Sequence, residues 1–306
     1  MRSQLGRYHG GHTLRILILG LRRSGTTIFW QMFRQDARLL AVNEPFNPAL
    51  SDMPLEIPNR SRRELIEIFR EDPEGFWRRF APIATTEELH ADLSDRQQAW
   101  LRFLLDRQPG FVMDATRCHF KLGALQALAR DAVVVHLHRG PAAVASSHLV
   151  PSGSGGFRGK ASVRAWGRLT FWSRSSRFDA WGVQSIASNN PESFFGQRMR
   201  ELGSDPAPLY QLPAVARLMA YWRLMYERIE ADGPRLFGDR FLSVSFEEFC
   251  DRPREIVGRV YRALGEEASD IDTSQIHPPH GPHRPQDPRW RQFMDAVGIP
   301  QELRDV

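Results

Sequence analysis

The stretch Arg15–Met32 constrains this 306-residue chain more than any other. Ile16-Leu17-Ile18-Leu19 is an apolar run of the length and branching expected of a buried strand. Gly20 ends it, Leu21-Arg22-Arg23-Ser24-Gly25-Thr26-Thr27 follows, and then Ile28, Phe29, Met32 and Phe33 recur at helical spacing. Strand, glycine-punctuated loop and helix start together predict an anion cradle. The loop's free N–H groups and the positive end of the helix dipole point at one spot. Two arginines and three hydroxyls in the loop make phosphate the natural guest. The plainer alternative is a capped helix with no ligand, because small polar residues favour helix starts for their own sake.

A nucleotide kinase or ATPase loop, Gly-x-x-x-x-Gly-Lys-Ser/Thr, would set its lysine on the terminal phosphates and its hydroxyl on magnesium. Gly20 and Gly25 have the right separation, but Thr26 stands where the lysine belongs. The cation is Arg23, ahead of the second glycine. Arg23-Ser24-Gly25-Thr26-Thr27 resembles instead the 5′-phosphosulfate loop of sulfotransferases that use 3′-phosphoadenosine 5′-phosphosulfate (PAPS). That loop reads Lys/Arg-Ser-Gly-Thr/Ser-Thr/Ser between a first strand and a first helix.

A second match lies downstream. Val133–Leu137 is another buried-strand run, followed by His138-Arg139-Gly140-Pro141 and, further on, Val144 and Ser147. Pro141 suits a first helical turn, where its missing N–H costs nothing. The family's 3′-phosphate motif is Arg-Asp/Asn-Pro-x-x-Val-x-x-Ser, and Arg139, Pro141, Val144 and Ser147 fall in place, with Gly140 in the acidic or amide position. Arginine fits this role because its planar fork bonds phosphate oxygens in pairs. A weaker likeness follows Phe241–Ser245, where Ser245-Phe246-Glu247-Glu248 also reads as a capping box.

The resemblance runs from about Arg15 to Gly265, although its motifs occupy three short parts. It implies an α/β fold, three-layer αβα with a central parallel sheet, that is, a P-loop NTPase-like sulfotransferase fold with helical insertions. One domain would span residues 1–306. It also implies that PAPS is the cofactor, held by Arg22, Arg23, Ser24, Gly25, Thr26 and Thr27 at one end and by Arg139 and Ser147 at the other, with no metal. Arg23 would stabilise the departing phosphate. Glu44-Pro45-Phe46, after the strand-like run Leu39–Val42, looks like the glutamate that some carbohydrate and tyrosyl sulfotransferases use as general base. His119 is the runner-up base. Many relatives carry a lysine in the loop after the Phe111–Met113 strand; Asp114 falls there, leaving Arg117 or Arg22 to supply the charge. The implied activity is sulfuryl transfer to a hydroxyl or amine of a glycan or other small molecule, the carbohydrate lean resting on Glu-Pro-Phe alone. A P-loop kinase and a non-catalytic nucleotide-binding module are the alternatives.

Composition agrees. The net charge of +5 and pI near 9.7 favour an anionic ligand. No block of five or six like charges suggests a nucleic-acid groove. No run is long enough for a membrane span, and the first apolar run leads into Arg22-Arg23 rather than a cleavage site, so a cytoplasmic location is expected. Cys118 and Cys250 read as two reduced thiols, with a disulfide left open.

The rest of the chain reads as scaffold. Residues 1–13 form a loose lead-in whose His9 and His12 make no metal site. Residues 50–110 are helical, with Leu65, Ile68, Phe69, Trp77, Phe80, Trp100, Phe103 and Leu104 as core. Leu122–Ala129 is a helix, and Leu218, Trp222, Met225 and Ile229 form the stripe of another. Residues 150–210 read as a variable lid and substrate insertion, with glycine-serine at 152–156 and aromatics between Trp166 and Trp181. Arg158, Lys160 and Arg284 are possible extra phosphate ligands. His277, His280 and His283 sit in a proline-rich tail that is expected to hold no metal.

Overall fold

The computed structural model describes residues 13–52, 60–149, 194–201, 203, 205, 207, 211–212, 214–276 and 288–304. Residues 1–12 of the lead-in, most of the 150–210 insertion and the histidine-rich stretch 277–287, with Arg158, Lys160 and Arg284, lie outside these residues.

Five strands form one sheet: β1 (Arg15–Leu19), β2 (Leu40–Asn43), β3 (Phe111–Asp114), β4 (Val133–His138) and β5 (Phe241–Ser245). All pairings are parallel, in the order β2-β3-β1-β4-β5. Parallel strands need crossovers and are buried on both faces, which is why β1 and β4 read as largely apolar runs, with buried His136 and His138 in the second.

Helices cover both faces. On one lie α1 (Thr26–Phe33), α9 (Phe246–Asp251) and α10 (Pro253–Ala263), whose Phe29, Phe33, Phe249 and Val260 close over Ile16, Ile18 and Val135. The other face carries α2 (Arg63–Glu71), α3 (Pro73–Arg79), α4 (Asp95–Leu105), α5 (Leu122–Leu128) and the long α8 (Ala214–Phe237). Their Leu65, Phe76, Trp100, Leu125 and Ile229 meet Leu17, Leu19, Met113 and Val134. The fold is the expected three-layer α/β arrangement. The aromatics of 50–110 behave as core: Phe76 and Trp100 stand edge to face at 5.2 Å, although Trp77 is 40% exposed. Leu218, Trp222, Met225 and Ile229 of α8 are all buried.

α6 (Pro141–Leu149), α7 (Phe194–Glu201) and α11 (Arg289–Ala296) complete the described helices. Among the described residues no helix is long and apolar enough to cross a membrane. Cys118 and Cys250 are buried free thiols.

From β1 the chain steps across β3 to β2, then returns in the opposite direction to β4 and β5. The winding reverses at β1, so the loops after β1 and β4 emerge side by side. Such a switch point is where open α/β sheets bind ligands.

Candidate functional site

The β1–α1 loop owes its shape to two glycines. A side chain at Gly20 would place its Cβ 2.3 Å from the carbonyl oxygen of Leu137, so β1 and β4 can end this close only with glycine here. Gly25 caps α1 with φ of 93° and faces the ring of Phe246, 2.3 Å from where a Cβ would sit. Ser24 N–H donates to Leu21 O at 3.0 Å, closing the turn.

Arg23 and Arg139, distant in sequence, converge here. Arg23, itself at φ 75°, donates from Nε to Ser147 Oγ at 2.8 Å, joining the first motif to the second. Burial, and then the charge of Arg139, lower the Arg23 guanidinium's proton affinity. Arg139 lies over the Phe246 ring at 5.1 Å, and its backbone carbonyl accepts from Trp222 Nε1 at 2.9 Å. Glu247 makes a long ion pair with it at 3.8 Å, beyond hydrogen-bond distance. Two guanidiniums held together at low exposure suit an anion. Buried polar atoms left without a hydrogen-bond partner among the described residues, Ser24 Oγ and Arg139 Nε, suit it as well. The residues present therefore fit a phosphate-bearing ligand.

Arg22 goes elsewhere. Expected among the cofactor ligands, it is 4% exposed and turned inward, forming a two-pronged pair with Glu88, with Nη1 to Oε2 at 2.9 Å. Arg117 bonds the same carboxylate. One fully buried glutamate thus ties the loop after β1 to the loop after β3. Removing one partner of such a buried pair costs roughly 3–5 kcal/mol, which makes Arg22 an anchor of the loop. Arg117 also reaches Asn47 Oδ1 at 3.4 Å.

Glu44, immediately after β2, has φ of 44°, a left-handed backbone fixed by its N–H to Asp114 O at 3.1 Å. Its Oε2 accepts from Arg62 Nη2 and Asn47 Nδ2, both at 2.7 Å, and Oε1 accepts from Thr116 Oγ1 at 3.0 Å. Burial pushes this carboxyl up, but the charge of Arg62 and the hydrogen bonds from Arg62, Asn47 and Thr116 more than offset it, and Glu44 stays ionised. Asp114, fully buried beside it, goes the other way: burial first, then the Glu44 charge, push it up to about 8. Glu44, Phe46, Asp114, Thr116 and Arg117 line one narrow crevice.

His119 is completely buried, and neither ring nitrogen has a hydrogen-bond partner among the described residues. Burial, then Arg22, His136, Arg117 and Lys121, hold it neutral and well below the usual imidazole range. A substrate could reach it only through a rearrangement of the core, which counts against the runner-up base.

The residues missed from sequence are Glu88, Arg62 and Asn47. Asn47 directly follows Glu44-Pro45-Phe46, whereas nothing local marks Glu88 or Arg62.

Residues 15–195, more than half of the chain, match the profile of the sulfotransferase family, and the chain belongs to that family. Among solved structures it is similar to the sulfotransferase domain from the curacin biosynthetic pathway, with 15% identity over 84% of this chain and 75% of that one and a TM-score of 0.45. A sulfotransferase from Alicyclobacillus acidocaldarius is 17% identical over 95% of each chain, TM-score 0.42. The sulfotransferase STF9 from Mycobacterium avium is 16% identical over 97% of this chain and 79% of that one, TM-score 0.46. No curated protein matches the chain.

Proposed function

We propose that this sulfotransferase takes its sulfuryl group from PAPS and passes it to a hydroxyl or amine of a small molecule or glycan. The observation that carries the reading is the meeting of the two arginine loops, with Arg23 Nε bonded to Ser147 Oγ and Arg139 close enough to act on Arg23. Two guanidiniums and a helix N-terminus at one switch point match a ligand carrying phosphate at two ends.

PAPS, when bound, supplies an activated sulfuryl group whose leaving group is a phosphate. Arg139 and Ser147 hold the 3′-phosphate. Ser24, Gly25, Thr26 and Thr27 hold the other end through loop N–H groups and hydroxyls. Arg23 stabilises the negative charge that grows on the departing 5′-phosphate oxygen, an electrostatic task of the kind that dominates phosphoryl transfer. Arg22 acts from behind, fixing the loop through Glu88. Glu44 takes the acceptor's proton. A carboxylate held ionised is a weak base, and it serves where the acceptor's proton becomes acidic late, once the new bond to sulfur has begun to form.

A thermal-shift panel tests the ligand. 3′-Phosphoadenosine 5′-phosphate (PAP) should stabilise the protein well above adenosine 5′-phosphate, and ATP with magnesium should give no larger shift. Equal shifts for PAP and adenosine 5′-phosphate would sink the reading.

A further inference from the structure

Asp114 ends β3 at the foot of the β1–α1 loop, opposite Ile18 of β1, and no role has been given to its side chain. It is fully buried. Thr27 Oγ1 stands 3.4 Å from Oδ2 as a donor and Thr26 also hydrogen-bonds the carboxyl, both drawing its proton affinity down against the larger effect of burial, while Oδ1 has no hydrogen-bond partner among the described residues. The charged and titratable neighbours come from three directions. Glu44 faces it from the end of β2, Arg62 from the turn before α2, and Arg117 and Cys118 from its own loop. Arg62 bonds Glu44, Arg117 bonds Glu88, and burial pushes the Cys118 thiol up to about 12, leaving it neutral. From β1 the facing residue is the apolar Ile18.

Two carboxyl groups at neighbouring strand ends thus share one set of strong donors, and all of it goes to Glu44. Such a pair does not carry two full charges in a dry site; the member without a cation keeps the proton. We propose that Asp114 is carried as a neutral acid whose proton orients the Thr27 hydroxyl toward an anion in the cradle. A hydroxyl has one hydrogen and two acceptor sites. With Asp114 neutral, its O–H donates to Thr27 Oγ1 and leaves the threonine hydrogen for the anion. With Asp114 ionised, that hydrogen turns back to the carboxylate, and the cradle offers an incoming anion a lone pair above a buried negative charge.

Anion binding and retention of this proton are therefore linked. The burial that favours the neutral form puts the crossover at about 8. Below that pH the proton is already in place and affinity is flat. Above it, binding must take a proton up, and affinity falls about tenfold per pH unit.

The proposal rests on the nucleotide reading only for one of its two probes. Calorimetry on the full chain between pH 7 and 9.5 would use PAP and, separately, inorganic sulfate, whose charge is constant over that range. Buffers of different ionisation enthalpy would count protons. For the wild type we expect the alkaline loss and uptake approaching one proton. Asp114→Asn should bind at near-wild-type strength at pH 7 and show no alkaline loss, since the amide N–H donates to Thr27 as the acid does. A flat wild-type profile without proton uptake, or an unchanged slope in the variant, overturns the proposal. Should Asp114→Asn fail to fold, Thr27→Val decides: weaker sulfate binding at pH 7 with a smaller alkaline loss supports it, and wild-type affinity and slope overturn it. If PAP does not bind but sulfate shows the linkage, the nucleotide reading fails and the role of Asp114 stands. If neither binds, both fail.

Discussion

The carboxyl edge of the sheet has two halves of opposite character. Over β1 and β4 stand Arg23, bonded to Ser147, and Arg139, over the ring of Phe246, with a glycine where the two strands come closest. Over β2 and β3 stand Glu44 and Asp114, joined by a backbone hydrogen bond. Strand order brings this about: because β3 lies between β2 and β1, the acidic ends fall together on one side and the basic ends on the other. The cationic half can hold a polyanion, and the carboxylate half can handle a proton a short way off. Sulfuryl transfer to a neutral acceptor needs these two services side by side.

That division can be broken at either end. The largest effect is expected from Glu44→Gln, which should lower turnover by roughly 10²–10⁴-fold, while PAP affinity by calorimetry stays near wild type. A parallel loss of binding would move Glu44 from chemistry to architecture. Arg23→Ala comes next, with a fall in turnover of about 10²–10³-fold; unaltered steady-state kinetics would dismiss it as the cation on the leaving group. Arg139→Ala is the smallest and the most selective. Loss of one charge-assisted contact of about 1.5–3 kcal/mol should weaken PAP by roughly 10–150-fold. Adenosine 5′-phosphosulfate, which lacks the 3′-phosphate, should be nearly indifferent, and equal weakening of both would remove Arg139 from that subsite.

The cationic half was far easier to read from sequence than the acidic one. β1 and β4 announce themselves as largely apolar runs, each followed within a few residues by an arginine of the cationic half. The side chains there act where the backbone delivers them. Even so, neighbours part company: Arg22 and Arg23 are adjacent, yet one is buried on Glu88 and the other reaches Ser147. Glu88 lies in a segment legible only as helical and charged, and no local pattern says which cation a distant carboxylate will take. Glu44 stood out from its strand-end position, but its ionisation depends on Arg62 and Thr116, two other segments of the chain. His119 shows the opposite failure. A histidine in a strand-end loop reads as available, and only the packed structure reveals it to be sealed.

The ring of Phe246 that fills the space beside Gly25 has a bearing on how the protein is made. It belongs to the first residue of α9, just past the last strand, so the cradle near the start of the chain stays without its wedge until β5 has docked. Such a distant contact forms late, after its loop-closure entropy has been met. A nascent chain halted before that strand would hold the arginines but not their mutual placement, and capture of the proposed nucleotide would then report that this late contact had formed.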